Sequence, residues 1–182
     1  MNQGDIANYS AQERLRDGRL ATIRSIQRAD KGGIADALRE LSSESFYRRT
    51  FATKRDLTDR ELSQLTEVDG ETVVALVALM KEEGRDRIVG GGRYVRCNGA
   101  GAPSRAEVAF LVDDAHQGIG IGSRIFRHLV SIAQGAGIRQ FEAEVLPSNG
   151  DMLRLFSKSG LPVTATATRE TVHVTIELPA AG

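Results

Sequence analysis

Along this chain the spacing of apolar residues changes several times, and each change predicts an element. Residues 19–26 read as a first strand, and Asp30 can cap a helix running through Leu41. A further helical turn or two over 42–51 would carry the aromatic pair Phe46 and Tyr47. Thr58-Asp59-Arg60-Glu61 has the spacing in which the cap and the third helical residue satisfy each other's amides, so a helix is predicted over 59–66. Two apolar, β-branched stretches, 71–81 and 87–97, are joined by Glu82-Glu83-Gly84-Arg85-Asp86 and predict an antiparallel hairpin; Gly90-Gly91-Gly92 in its second arm points to a bulge. A loop of Gly, Ala and Pro over 98–104 leads to an apolar strand. Then Ile125, Leu129, Ile132, Ala133 and Ala136 recur at helical spacing until Gly135 and Gly137 end the stripe. Phe141, Ala143 and Val145 alternate with Glu142 and Glu144 as a strand requires. Pro147-Ser148-Asn149 opens a short helix through Lys158, closed by Gly160, and two more strands follow over 161–168 and 171–178. There is no internal repeat. The whole reads as one α/β domain over 1–182 with a mixed sheet, residues 1–14 being polar and expected to be loosely held.

Composition narrows the function classes. A chain of 182 residues can bury roughly two thirds of its unfolded surface, enough for a core without metals or staples. The 24 Lys and Arg balance 24 Asp and Glu, so no broad field favours nucleic acid or an anionic membrane. Cys97, the single cysteine, permits no internal disulfide and suits a reducing cytoplasm; with three scattered histidines it forms no familiar metal spacing, and no metal is expected. The first residues lack the basic start and apolar run of an export signal, and no window approaches the roughly twenty apolar residues of a membrane span. A soluble, cytoplasmic protein is expected.

The most informative chemistry lies in Val112-Asp113-Asp114-Ala115-His116-Gln117-Gly118-Ile119-Gly120-Ile121-Gly122-Ser123, which joins the apolar strand to the helix through alternating glycines. Without side chains at 118, 120 and 122, backbone amides can turn toward an anion, and the helix N-terminus adds field in the same sense. A dinucleotide-binding turn requires G-x-G-x-x-G, and Ser123 stands where its third glycine belongs. A phosphate-binding P-loop requires Gly-Lys-Ser/Thr, and here Ser123-Arg124 follows with no lysine.

What remains, Gln-Gly-x-Gly-x-Gly after a strand, resembles the coenzyme A loop of the GNAT family of N-acetyltransferases, whose pattern Gln117, Gly120 and Gly122 fit. The order strand, glycine loop, helix, strand, Asn149, short helix, Gly160 is similar to that family's cofactor-binding half, over roughly 107–161. Upstream, Leu15-Arg16-Asp17-Gly18, Ile23-Arg24, Leu41-Ser42-Ser43-Glu44-Ser45-Phe46-Tyr47-Arg48-Arg49 and Leu65-Thr66-Glu67-Val68-Asp69 resemble the acetyltransferase domain of bacterial Pat-type protein lysine acetyltransferases. The resemblance implies a GNAT fold: a mixed, mostly antiparallel central sheet flanked by helices, splayed open between the strand ending near Asp113 and the strand ending near Leu146. It implies acetyl-CoA as cosubstrate and a protein substrate with an exposed lysine, of the acyl-CoA synthetase class. Such relatives often carry a nucleotide-sensing or synthetase domain, for which 182 residues leave no room, so control by a fused domain is not expected.

Transfer of an acetyl group to an amine requires a base for the ammonium proton, donors for the carbonyl oxygen and a route for the thiolate to leave. Glu107, flanked by apolar neighbours early in the strand, is the candidate base, acting through a water; the resemblance places a catalytic glutamate in the matching Ala-Glu-x-Ala-Phe element, and an edge carboxylate that only solvates the strand is the competing reading. By the same resemblance, backbone groups of Phe110, Leu111 and Val112 would meet the pantetheine arm, with the amide of Leu111 or Val112 donating to the thioester oxygen. The pyrophosphate would lie on Gln117, Gly118, Ile119, Gly120, Ile121, Gly122 and Ser123. Gln117 could instead cap backbone. Asn149 would meet the cofactor, helix capping being its competing use. Many relatives offer the thiolate a tyrosine in Tyr-x-Lys-x-Gly-Phe, where this chain has Phe156-Ser157-Lys158-Ser159-Gly160-Leu161; Phe156 is expected only to pack against the pantetheine, leaving solvent, the released proton or Ser157 to protonate the sulfur. His116 is read as an exposed loop residue, His128 as solvated, and His173 as facing water or the acceptor groove. Arg48-Arg49 and Lys54-Arg55 form a basic patch near the expected acceptor side, a solvated face being the competing reading. The expected function is acetyl transfer to a protein lysine, with a small-molecule amine, or a non-catalytic acyl-CoA-sensing role, as alternatives.

Overall fold

The computed structural model describes residues 3–43, 47, 57–97 and 104–180. The Arg48-Arg49 and Lys54-Arg55 patch, most of the helical segment expected over 42–51 and most of the 98–104 loop lie outside them. In chain order the elements are α1 (Gln3–Ala7), β1 (Ser10–Arg14), β2 (Leu20–Ser25), α2 (Lys31–Glu40), α3 (Asp59–Thr66), β3 (Val73–Glu82), β4 (Arg85–Cys97), β5 (Arg105–Val112), α4 (Ile121–Gly135), β6 (Gln140–Val145), α5 (Gly150–Ser157), β7 (Val163–Ala167) and β8 (Val172–Glu177). The strands form one eight-stranded sheet in the order β1-β2-β3-β4-β5-β6-β8-β7, antiparallel throughout except where β5 meets β6.

Local chemistry accounts for several of these boundaries. Thr58 accepts from the Glu61 amide while the Glu61 carboxylate accepts from the Thr58 amide, which starts α3 where its sequence predicts. The β3–β4 hairpin turns at Glu83 (φ 48°) and Gly84 (φ 78°), the left-handed pair that matches the twist of two antiparallel strands. Its register shifts between Ala78 and Leu79, leaving Val89 unpaired as the expected bulge. Asp30 precedes α2, but its carboxylate accepts from Arg24 (2.7 and 2.8 Å) and from the Gln27 amide (2.7 Å) instead of capping the helix.

The core lies mainly between the sheet and α4, which buries Ile121, Ile125, Phe126, Leu129, Ile132 and Ala133 against Tyr94, Val108, Phe110, Val112 and Phe141. On the opposite face Leu111 packs with Leu38 and Leu41 near α2. Of the segment over 1–14, the described residues 3–14 are not the loose tail expected from their polarity. Ser10–Arg14 pairs with β2, Ile6 and the following Leu15 are buried in the core, and Tyr9 packs against it.

Candidate active site

Two features of backbone geometry set up the site. β5 and β6 run parallel but pair only over Arg105↔Gln140, Ala106↔Phe141 and Glu107↔Glu142, after which β6 pairs with β8 alone. Beyond Glu107 the two strands therefore part, and the last turns of β5 border a gap. The amide of Asp113 donates to the carbonyl of Val89 (2.9 Å), which fixes the alternation along β5: amides of Ala109 and Leu111 face β4, and those of Phe110 and Val112 face the gap. Leu111 is thus corrected as a donor to the thioester oxygen, since its amide belongs to the β4 ladder and its side chain to the cluster under α2.

The gap opens at its upper end into a cavity of about 960 Å³ between α4 and α5, whose walls include Phe110, Val112, Gln117, Gly118, Gly120, Ile121, Gly122 and Ser123. Gly118 (φ 79°) and Gly120 (φ 100°) adopt left-handed backbone that side-chain-bearing residues rarely take, and Gly120 stands at the N-cap of α4. The first intrahelical bond runs from Arg124 to the Gly120 carbonyl (3.1 Å), so the amides of Ile121, Gly122 and Ser123 belong to the open first turn facing that cavity. Gly122 contributes differently: a Cβ there would stand 2.9 Å from Leu155 Cδ1, so the Leu155 side chain of α5 would have to shift. A diphosphate fits this donor set.

Polar side chains brace the loop. The Gln117 amide donates to the Val112 carbonyl (3.3 Å) and to Asp114 Oδ1 (2.7 Å), so it caps backbone at the cavity wall. Ile119 contributes its carbonyl, which accepts from the Arg16 amide (3.0 Å). His116 is buried, correcting the expectation of an exposed loop residue: Nδ1 is 2.9 Å from Asp113 and Nε2 is 2.9 Å from Glu82. Burial works to raise the Asp113 carboxyl, but hydrogen bonds from His116, the Ala115 amide and Arg87 outweigh it and hold it below the usual carboxylate range. Arg87 also pairs with Glu82 and Glu40, tying the end of β5 to α2.

Glu107 is exposed on the face opposite α4, at the last paired position before the gap, and has no hydrogen-bond or ion-pair partner among the described residues. Glu142, beside it, is held by Arg105 (2.8 Å), and Glu144 by His173 (2.6 Å), which is half-exposed as expected. Asn149 is buried and accepts from the Met152 amide (3.3 Å), the capping use. Phe156, expected against the ligand, is 1% exposed and does not line the cavity; its ring packs edge-on to Phe110 and Phe126 at centroid distances of 6.2 and 5.6 Å.

The acetyltransferase (GNAT) family model matches residues 35–161. The chain belongs to that family. Members of the GNAT family use acetyl-CoA as acetyl donor, and the loop geometry above fits that cosubstrate. An acetyltransferase of Pseudomonas aeruginosa is 32% identical over 128 residues, 70% of this chain and 67% of that protein. Acetyltransferase Pat of Mycolicibacterium smegmatis is 34% identical over 146 residues; they make up 80% of this chain and 42% of Pat, so the match spans less than half of that relative. Among solved structures, the GNAT domain of S. lividans PAT superposes with a TM-score of 0.82 at 34% identity, covering 93% of this chain and 97% of that one. No helix among the described residues is long and apolar enough to cross a membrane, and no group of side chains there could hold a metal ion.

Sequence reasoning missed the cations of the cavity: Arg16, Arg124, Arg127, Arg154 and Lys158 line it. Arg127 shares a helix stripe with Ser123, Val130 and Gln134 on the side of α4 away from its apolar face, a spacing that could have been read. Arg16 gave no such signal, because it arrives from the opposite end of the chain. His128 was read as solvated; its side chain is only 11% exposed, between Tyr9 and Glu13.

Proposed function

We propose that this GNAT acetyltransferase moves an acetyl group directly from acetyl-CoA to a lysine side chain of another protein, with Glu107 as general base. One observation carries the reading: β5 and β6 part immediately after Glu107, so a pantetheine arm in the gap would bring its thioester beside the exposed carboxylate. Glu107, through a water, takes a proton from the ammonium; the amine lone pair attacks the carbonyl carbon; amides of Phe110 or Val112, facing the gap, donate to the developing oxyanion. Collapse expels the thiolate, which takes up a proton from solvent or the one released by the amine. The diphosphate would lie on Gly118–Ser123, with Gln117 and Asn149 holding the loop and α5 in place.

A protein acceptor is favoured by the Pat-type resemblance of the front half and by 34% identity to Pat over 146 residues. An acyl-CoA synthetase is the acceptor class that resemblance implies, and a reducing cytoplasm is the compartment that the single cysteine suits. A non-catalytic acyl-CoA-sensing role is favoured by one feature, the enclosed Phe156 where relatives offer a tyrosine.

Glu107→Gln separates these readings. Calorimetry is expected to find CoA binding unchanged, while acetylation of a lysine-bearing protein, read by mass spectrometry with labelled acetyl-CoA, falls by roughly a hundredfold. A wild-type protein that binds acetyl-CoA yet modifies no amine in a lysate would establish the sensing role instead.

A further inference from the structure

The cavity carries more positive charge than a diphosphate cradle needs. Its amides and glycines lie at one end, around Gly118 to Ser123. Arg16, Arg124 and Arg127 gather around that end, and Arg154 and Lys158 line the α5 side. The one carboxylate in the lining is Asp151, and it lies 3.8 Å from Arg154 across a turn of α5.

Two of these arginines, Arg124 and Arg127, are held in place by one carboxylate. Glu13, on β1, is 14% exposed and spreads its two oxygens over α4: Oε1 accepts from Arg127 (2.5 Å) and lies 2.9 Å from His128 Nε2, and Oε2 lies 3.4 Å from Arg124 Nε. Arg124 also donates to the Arg14 carbonyl (3.2 Å). Tyr9 bonds to the other nitrogen of His128, so the imidazole spans Tyr9 and Glu13. Burial of Glu13 works to raise its carboxyl, but hydrogen bonds from Arg127 and His128 win and hold it below its ordinary range. Arg16 lies across the loop itself, its Cγ, Nε and Cδ 3.5 to 3.8 Å from where a Gly120 Cβ would stand, with its amide on the Ile119 carbonyl. Among the described residues the Arg16 side chain has no carboxylate partner. One largely enclosed carboxylate thus anchors two guanidiniums whose remaining N–H groups, with those of Arg16, are left for a ligand; a guanidinium has five such donors in a planar fork.

A single anion at the amide end would leave the Arg16 guanidinium without a counter-charge and the outward N–H groups of Arg124 and Arg127 without acceptors. CoA carries a second anion, the monoester phosphate on the ribose 3′ oxygen, with close to two negative charges near neutral pH and acceptor oxygens suited to bidentate arginine. We propose that Arg16, Arg124 and Arg127 bind the CoA 3′-phosphate and make the site selective for 3′-phosphorylated CoA thioesters over their 3′-dephospho forms. The N-terminal segment, through Arg16 and Glu13, is then part of the cofactor site. This selectivity rests on the acetyl-CoA reading of the same cavity.

The experiment compares CoA with 3′-dephospho-CoA by calorimetry on the full chain, in the wild type, Arg16→Ala and Arg127→Ala, with thermal melts confirming that each variant is folded. Wild-type protein is expected to bind CoA roughly tenfold to a hundredfold more tightly than dephospho-CoA. Each substitution should weaken CoA binding severalfold while leaving dephospho-CoA binding nearly unchanged, so that the ratio shrinks. Equal affinity for both ligands in the wild type would overturn the 3′-phosphate assignment and leave the acetyl-CoA reading standing. A preference that neither arginine variant alters would also overturn it, by moving the contact to other residues. Binding of neither ligand would overturn both.

Discussion

Phe156 shows how much one ring's direction decides. Its sequence context places it where a tyrosine could serve the leaving sulfur, but the side chain is enclosed with Phe110 and Phe126. A hydroxyl added there would find aromatic neighbours and no acceptor, a loss of about 1–3 kcal/mol for a buried unpaired group. Phe156→Tyr is therefore expected to lower the melting temperature without raising turnover; a tenfold gain in kcat would show that the ring reaches the sulfur and that an acid was missing. His116 carries the same lesson. Its neighbours in the chain are polar and read as loop, yet Glu82 comes from the β3–β4 hairpin to enclose it with Asp113. Glycines at 118 and 120 were legible because their requirement, positive φ, is local.

At the scale of elements, the Gly90-Gly91-Gly92 run shows a sequence signal whose full cause is tertiary. A bulge does fall beside it, but Gly92 answers mainly to α4 and β5: a Cβ there would stand 2.6 Å from Phe110 Cδ1 and 2.7 Å from Ile125 Cγ2. Both neighbours are core side chains with no room to move. Gly92→Ala is expected to destabilise the fold by about 1–3 kcal/mol in urea titration. Gly32→Ala, in α2 with nothing within 4 Å of the new Cβ, should be neutral or gain up to about 1 kcal/mol of helix propensity. A Gly92→Ala protein as stable as wild type would show that α4 does not pack this closely on the sheet.

For the whole molecule, the decisive feature is that the segment before β2 packs against α4 and brings Arg16 to the cavity wall. β1 is an edge strand, yet it pairs five residues with β2 and carries Glu13 under the arginines of α4, while Ile6 of α1 lies in the core. Removing residues 1–14 should lower stability by at least the ~1.5–3 kcal/mol that burial of one large apolar side chain contributes. It should also weaken CoA binding, because Arg124 and Arg127 lose their anchor. Melting curves and calorimetry on the shortened protein check both; an unchanged melting temperature and unchanged affinity would mean that the segment is ornamental.

The sequence alone determined most of the elements from β2 onward and their order, the glycine loop and the family, because periodicity, caps and positive-φ glycines are written within a few residues of one another. Glu107 became a candidate base only through the resemblance of its Ala-Glu-x-Ala-Phe element, since its place on a strand fits a solvated edge carboxylate equally well. What only the tertiary structure decided was how far β5 and β6 stay paired, which amides of β5 face the gap, where the rings of Phe156 and His116 point, and that the N-terminal segment reaches the cofactor cavity. Each of these depends on contacts between residues far apart in the chain, for which no local pattern exists: a strand's register, a side chain's burial and a cation's partner are settled only when the sheet closes around α4.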